Sequence, residues 1–185
     1  MQRLVETLLN FGRIEAGAMR YRFDTVNATD LVRAVIREME PFAYDAGMRI
    51  DFAARDTPLF VRADEDALGV AVRNLVDNAI KYSPGQSSIG VECAAVDDQI
   101  LIRVIDFGPG IPASEQRTIF DKFVRGQAAV NGNVKGTGVG LSMVKQIVVA
   151  HGGEVRLQSV VGGGNTFTIR LPGADAPAAV RRASA

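Results

Sequence analysis

Apolar residues recur along this chain with two different periods. Met1, Leu4, Leu8 and Phe11 follow one another at three- and four-residue steps, the stripe of a helix. The stripe starts at the first residue with no capping residue before it, so this helix is expected to be entered part-way. "EAGAMRYR" loosens the pattern. "DLVRAVIREMEPFAYDAG" restores it as a second helix that Asn27 or Thr29 can cap and Gly47 can stop. "MRIDFAA" and "LFVRA" alternate like strands. "DEDALGVAVRNLVDNAIKYS" predicts a helix with Leu68, Val72, Leu75 and Ala79 on one face, ended by Pro84-Gly85. "SSIGVECAAV" and "QILIRVID" predict a hairpin turned at Asp97-Asp98. A short helix is expected in "ASEQRTIF", and a long polar, Gly-rich loop in "DKFVRGQAAVNGNVKGTG". "TGVGLSMVKQIVVAHGG" is a helix with a glycine stop, and "GEVRLQSV" with "NTFTIRLP" a last hairpin. The Ala/Pro/Arg tail after Pro172 is expected to be unstructured. Helices combined with hairpin-linked strands predict a two-layer α/β sandwich over a mixed sheet.

Length and composition narrow the function classes. The chain has 185 residues, enough for one domain with a core and some extra. Lys+Arg and Asp+Glu both total 21, so the balance of charge asks for neither nucleic acid nor an anionic membrane. The single cysteine, Cys93, excludes an internal disulfide and, lying in an apolar run, reads as a core thiol. The single histidine, His151, excludes His-pair metal sites. No apolar run is long enough to span a bilayer, and no signal peptide is visible.

Four short stretches carry chemistry. "DFGPGI" contains the triplet by which Ser/Thr/Tyr protein kinases hold magnesium. Such a kinase also needs an H-R-D loop ahead of it, and the only histidine comes after Asp106 and is followed by "GGE". A phosphate-binding P-loop is also absent. Asp106 ends an apolar strand, where it either opens a tight turn or accepts a hydrogen bond from an exocyclic amine; Gly108 and Gly110 would let a flat ring pass close. Asn74 and Asn78, four apart, share a helical face. Both point to water, or their amide oxygens face a magnesium ion that keeps several waters. Lys81 adds positive charge nearby. "GTGVGL" opens a helix, where amides and the helix dipole favour an anion, although flexible loops use the same glycines. Phe120 and Phe123 form a Phe-x-x-Phe pair between these motifs.

Taken in this order, the motifs strongly resemble a sensor histidine kinase. "NLVDNAIKYS" resembles the N box, "DFGPGI" the first glycine box, "IFDKFVRG" the F box and "GTGVGLSMVKQIVVAHGG" the second glycine box. "RLVETLLNFGRIEAGAM" resembles the second helix of the dimerisation and phosphotransfer hairpin. The resemblance implies a Bergerat ATP-binding fold, three main helices on a mixed sheet. It divides the chain into a partial hairpin over residues 1–20, an ATP-binding catalytic domain over 21–173 and a disordered tail over 174–185. It implies ATP and magnesium as ligands, with Asn78 on the metal and Asn74 near the γ-phosphate. Lys81 would meet phosphate, Tyr82 would pack on adenine, and Asp106 would accept the adenine amine. Gly108, Gly110 and Ile111 would shape the base pocket. Phe120 and Phe123 would seat a lid carrying Arg125. Gly136, Thr137, Gly138, Val139, Gly140 and Leu141 would close over the triphosphate, and Thr166 matches the family's threonine near the base.

The same resemblance implies a homodimer of the intact protein through the hairpin and a response-regulator receiver domain as partner. It implies no nucleic acid, no membrane contact for these residues, and a cytoplasmic catalytic part whose parent is open to anchoring in the inner membrane. Two departures stand out. Phe107 occupies a position where the family usually has Asn, which leaves nucleotide affinity open. The phosphoacceptor histidine belongs to a helix ahead of "RLVETLL", so the chain resembles a fragment; His151 matches the family's "HGG", a cap or surface residue. Met1, Leu4, Leu8 and Phe11 would then form an exposed apolar stripe. Two other readings stand beside this one: an ATP-hydrolysing machine of the same fold, and a degenerate regulatory module. Hydrolases of the gyrase type carry Glu where this chain has Asn74, and an amide cannot act as a general base on water.

Overall fold

The computed structural model describes Gly12 and residues 19–54, 58–83, 88–126 and 136–177. The stripe at Met1, Leu4, Leu8 and Phe11, the Pro84-Gly85 stop, the middle of the Gly-rich loop and the last eight residues lie outside the described residues.

Strand β1 (Asp24–Asn27) leads into helix α1 (Ala28–Asp45), then β2 (Arg49–Ala54), β3 (Phe60–Ala63), α2 (Glu65–Tyr82), β4 (Ser88–Val96), β5 (Gln99–Asp106), α3 (Gly140–Ala150), β6 (Glu154–Val160) and β7 (Gly164–Pro172). Five strands make one sheet in the order β2-β4-β5-β7-β6, and β1 and β3 form a separate two-stranded ribbon. β2 and β4 run parallel while the other neighbours are antiparallel, so the sheet is mixed.

Each helix forms where its apolar positions share a face and its ends find partners. In α1 the Asn27 side chain, not that of Thr29, caps the first turn by accepting from the Thr29 N–H at 3.1 Å. The helix continues through Pro41, which forgoes one backbone bond on the exposed side. Its end is a Schellman motif: Met48 N–H donates to Ala43 O and Gly47 N–H to Tyr44 O, with Gly47 left-handed at φ 72°. α3 ends the same way, through Gly153 to Val148 and Gly152 to Val149. Asp64 caps α2 by accepting from Ala67 N–H at 2.9 Å.

The core lies between the helices and one face of the sheet. Leu31, Val35 and Met39 of α1, Leu68, Val72, Leu75 and Ala79 of α2, and Met143 and Ile147 of α3 are buried there. They meet Ile89, Val91 and Cys93 of β4, Ile102 and Val104 of β5, and Phe167, Ile169 and Leu171 of β7. Burial pushes the Cys93 thiol up to about 12, which suits an inert core group. The opposite face of the sheet is polar, with cross-strand pairs Arg103–Glu92 at 3.1 Å and Arg170–Glu154 at 3.2 Å. This is the two-layer sandwich that the alternation of elements predicts.

Three expectations shift. "ASEQRTIF" forms successive turns and no helix: Glu115 and Gln116 N–H both bond Pro112 O and Thr118 and Ile119 both bond Glu115 O, so the ladder never propagates. Asp24–Asn27, in a stretch that lacked a period, becomes a strand because β3 offers it a partner. The chain just past Pro172 is tied down, since Gly173 bridges Val61 and Ala174 N–H donates to Phe60 O at 2.8 Å.

His151 is a structural joint. It is buried, donates from Nδ1 to Ile147 O at 2.7 Å and accepts on Nε2 from the Asp64 N–H at 3.0 Å. Only the neutral ring protonated on Nδ1 satisfies both contacts. Tyr21 and Phe23 pack on the ring at 5.3 and 5.0 Å, and Asp64 also receives the Arg22 N–H at 2.7 Å. One side chain thus fastens the end of α3 to the start of α2 and to residues 21–23. His151→Ala is expected to cost about 2 kcal/mol of stability through the orphaned Asp64 N–H and the lost ring contacts. Urea unfolding checks this, and an unchanged midpoint would remove the joint from the account.

Candidate functional site

The candidate residues gather at one end of the sheet, where α2 finishes, α3 starts and two loops meet. On α2, Asn74 turns its Nδ2 back to Val70 O at 2.8 Å. Its Oδ1 therefore faces the start of α3, and a Cβ built on Gly140 would lie 3.1 Å from it. A side chain at position 140 would crowd this oxygen, so glycine eases the close approach of the two helices. Asn78, one turn on and half-buried, makes no side-chain hydrogen bond to any described residue. Lys81 pairs with Asp77 one turn back. Tyr82 is half-buried; burial raises its phenol pKa, with nearby Arg125 opposing and Asp77 reinforcing the rise. Arg125 is thus brought from the Phe-x-x-Phe segment to the end of α2.

Asp106 stands at the end of β5 and is only 4% exposed. Its Oδ1 accepts from Gly108 N–H and from Asn165 Nδ2, both at 2.9 Å. The Ser83 hydroxyl is buried beside it without a well-formed hydrogen bond, yet close enough to favour the charged form. Desolvation outweighs these donors, and the carboxyl pKa is raised above the ordinary aspartate value. The loop after Asp106 is clamped on two sides. Gly110 is left-handed at φ 72°, and a Cβ there would fall 2.1 Å from Val160 O, so no other residue fits. Ile111 N–H donates to Ser159 Oγ at 2.7 Å, Gly162 N–H to Pro109 O at 2.8 Å, and Gln116 Nε2 reaches Ile111 O. A Cβ on Gly108 would meet Tyr82 O at 2.6 Å, so this loop also rests on the end of α2.

The third side of the cleft comes from the segment between β5 and α3. Phe120 meets Phe167 edge to face at 6.3 Å, anchoring the segment to the core. Phe123 has the left-handed backbone at φ 63° that a non-glycine residue rarely takes, and its side chain is 67% exposed. Its N–H donates to Gly138 O at 3.0 Å, joining the two sides of the Gly-rich loop. Gly136 and Thr137 lie just before this contact; residues 127–135 are outside the described residues. At the start of α3, Val139 provides no side-chain cap, the first turn holds no acid, and the Ser142 hydroxyl bonds Val139 O. The amides of Gly140 and Leu141 are left at the positive end of the helix dipole.

Two residues fall differently from the sequence expectation. Thr166 pairs with Ile105, so it faces the side of the sheet away from the Asp106 carboxylate. Asn165, in register with Asp106, is the residue that touches it. The period-two rule applied to "NTFTIRLP" was enough to separate the two, but only once the β5–β7 register was fixed. Ser159 also joins the site without a motif to announce it, as does Ser83, the last residue of "NLVDNAIKYS", to which the resemblance gives no role. A cavity of about 510 Å³ lies on the far side of α3, lined by Phe120, Lys122, Lys145 and Val149 among others. It holds Asp121 as well but none of the candidate residues except Phe120, so the candidate chemistry belongs to the cleft. Among the described residues, no group of three or more His, Cys, Asp or Glu side chains is placed to hold a metal, and the amide oxygen of Asn78, like that of Asn74, is a neutral donor with no described hydrogen-bond partner. No helix among the described residues is long and apolar enough to cross a membrane.

Known proteins are similar to this chain in sequence and fold. Residues 63–175 match the family of histidine kinase-, DNA gyrase B- and HSP90-like ATPases. The chain is 36% identical over 178 residues to the signal transduction histidine-protein kinase/phosphatase MprB of Mycobacterium sp. (strain KMS), covering 94% of this chain and 33% of that protein. It is 30% identical over 175 residues to the sensor protein KdpD of Escherichia coli (strain K12), covering 95% of this chain and 19% of that one. Among solved structures, full-length ShkA in complex with AMPPNP superposes with a TM-score of 0.81 at 30% identity, over 95% of this chain and 36% of that chain. The mycobacterial sensor histidine kinase MprB superposes at 0.72 and 30% identity, over 84% of this chain and 100% of that chain. The chain therefore belongs to the histidine kinase-, DNA gyrase B- and HSP90-like ATPase family, as an ATP-binding catalytic domain of the sensor histidine kinase type.

Proposed function

We propose that this chain binds ATP with magnesium and transfers the γ-phosphoryl group to a histidine on a separate helix, from which it passes to an aspartate of a response-regulator receiver domain. The observation that carries the reading is the Asp106 carboxylate. It is a nearly dry charge whose Oδ1 is saturated and whose second oxygen faces no described donor of good geometry. Such a group is costly to keep unless a ligand uses it. The exocyclic amine of adenine is a donor of the required kind. Tyr82, Gly108, Gly110 and Ile111 would border the ring, and Asn165 takes the place beside the base that Thr166, facing the other way, does not reach.

The triphosphate would run towards α3. The amides of Gly140 and Leu141 lie at a helix start with no acid and no side-chain cap, which suits an anion. Gly136, Thr137, Gly138 and Val139 would line its path. Lys81 would exchange Asp77 for phosphate, and Arg125 would add charge from the Phe123 segment. Asn78 fits a magnesium ion: a hard, neutral oxygen without a partner among the described residues suits an ion that keeps most of its waters and takes phosphate oxygens. When bound, that ion would neutralise charge on the phosphates. Asn74, fixed by Val70 O and pressed to Gly140, would orient the γ-phosphoryl for in-line attack. Its amide holds no basic site for a water proton, so transfer to a side chain is favoured over hydrolysis.

His151 is not the acceptor, because both ring nitrogens are engaged and the residue is buried. We assign the acceptor to the dimerisation hairpin of the whole protein, of which residues 1–20 would be the second helix. Residues 21–173 would be the catalytic domain, residues 174–185 a tail, and the pairing of two hairpins would make the homodimer. The catalytic part would act in the cytoplasm, without nucleic acid.

Two measurements test this reading. Asn78→Ala is expected to leave the fold intact, to abolish the gain in affinity for a fluorescent ATP analogue that magnesium brings, and to stop phosphorylation of a separately supplied histidine-bearing hairpin. Unchanged binding and transfer would show that the metal assignment is wrong. Asp106→Asn is expected to weaken ATP about ten- to hundredfold, the loss of a charge-assisted hydrogen bond. It is also expected not to lower the thermal midpoint at neutral pH. The sign follows from the raised carboxyl pKa: the folded state holds its proton longer than the unfolded state, so the group's contribution is lost as pH rises from the unfolded pKa through the folded one. A neutral amide escapes that loss. Calorimetric melting and ATP titration of the same variant check both halves.

A further inference from the structure

The Asp106 carboxylate does not choose its own orientation. Four groups from three segments are linked to it in one direction. Ile111 N–H donates to Ser159 Oγ at 2.7 Å; Ser159 O–H donates to Asn165 Oδ1 at 2.6 Å; Asn165 Nδ2 donates to Asp106 Oδ1 at 2.9 Å. Gly108 N–H fills the same carboxylate oxygen at 2.9 Å. Ser159 has a second acceptor within reach, Gly164 O at 3.3 Å, but the bond to Asn165 is much the shorter. An ionised carboxylate only accepts, so the amide must turn its nitrogen to Asp106 and its oxygen to Ser159. The backbone amide of Ile111 can only donate, which turns the Ser159 proton towards Asn165. Every proton in the chain therefore has one place.

The consequence is an asymmetric carboxylate. Oδ1 is filled twice, while Oδ2 receives no well-formed bond from the described residues; the Ser83 hydroxyl, 1% exposed and without a well-formed bond, and the Asn165 N–H lie near enough to the carboxylate to favour its charged form. Asn165 itself is 7% exposed, and it sits at the start of β7 directly opposite Asp106. A buried amide with both ends used cannot flip without breaking two bonds.

We propose that Asn165, seated by Ser159, is a positioning residue that sets purine specificity: it holds Asp106 so that a bare acceptor oxygen meets the purine 6-position, admitting a 6-amino base and rejecting a 6-oxo base. A 6-oxo purine would bring a carbonyl oxygen against that acceptor, leaving two buried acceptors face to face. Without Asn165 the carboxylate keeps only the Gly108 N–H, can turn about its Cβ–Cγ bond and take in water, and the discrimination weakens. The inference rests on the reading that Asp106 meets the base.

The test compares ATP with inosine triphosphate, which differs at the 6-position by an oxo group in place of the amine, using the full chain with magnesium and displacement of a fluorescent nucleotide. Asn165→Ala is expected to weaken ATP about tenfold and inosine triphosphate little, so that the preference falls about tenfold. Ser159→Ala is expected to lower the preference about threefold, and Asn165→Ser, which keeps a donor to Asp106, to retain most of it. A merely structural role would weaken both nucleotides in proportion. If Asn165→Ala does not fold, Ser159→Ala and Asn165→Ser report the same ratio. A preference unchanged in the Asn165 and Ser159 variants but lost in Asp106→Asn would overturn the role of Asn165 alone. A preference unchanged in Asp106→Asn as well would overturn the assignment of the base to Asp106.

Discussion

The site depends on one charge kept out of water. A carboxylate that is 4% exposed is costly, and here two N–H donors on a single oxygen compensate it in part. Those donors come from a turn and from a neighbouring strand, so the charge is satisfied only if β5 and β7 hold their register and the loop after β5 folds back. The register in turn requires Ile102 and Val104 to face Ile169 and Phe167 in the core, since a slip by one residue would turn Asp106 to the other side of the sheet. The hydrophobic pattern of two strands thereby fixes a polar atom. The clamp of Gly110 against Val160 serves the same end, because a bulkier residue would push the loop off β6 and take Gly108 N–H away from the carboxylate.

The helices contribute by their ends. α2 brings its side chains to the cleft from its second half, and α3 brings only backbone, from its first turn. Asn74 and Gly140 mark where the two come together. Their opposite ends are joined by His151 and Asp64, about three turns away along each helix. The angle between amide side chains and helix dipole is therefore held at both ends, by one glycine contact and one imidazole. Preorganisation of this kind is what a transfer reaction with little covalent chemistry of its own requires.

Much of this was legible in the chain. The apolar stripe Leu68, Val72, Leu75 and Ala79 is the buried face of α2, and Asp97-Asp98 is the hairpin turn, because both rest on local periodicity and turn chemistry. Asn74, Asn78 and Asp106 stood out because two amides in mid-helix and an acid ending an apolar strand go against local preference. What local rules cannot give is pairing between distant segments. β1 has no period of its own and exists because β3 lies beside it. "ASEQRTIF" has helical residues but only a turn's length of ladder, its ends drawn to Ser159 and Phe167. Asn165 rather than Thr166 faces Asp106 for the same reason: adjacent residues on a strand differ completely in environment, and only the partner strand decides which is which.

The choice between transfer and hydrolysis follows from the same economy of polar groups. A general base at position 74 would put a carboxylate beside Gly140 at the start of α3, where the proposed triphosphate would also bring negative charge. An amide avoids that repulsion, spends its nitrogen on Val70 O and presents an oxygen that cannot take a proton at neutral pH. On the proposed reading, the cleft would hold and orient a phosphoryl group, and position 74 would offer no base to activate water. An acceptor for such a transfer would have to arrive already nucleophilic; a neutral imidazole from another helix would meet that condition, whereas an alcohol would need the base that Asn74 does not provide.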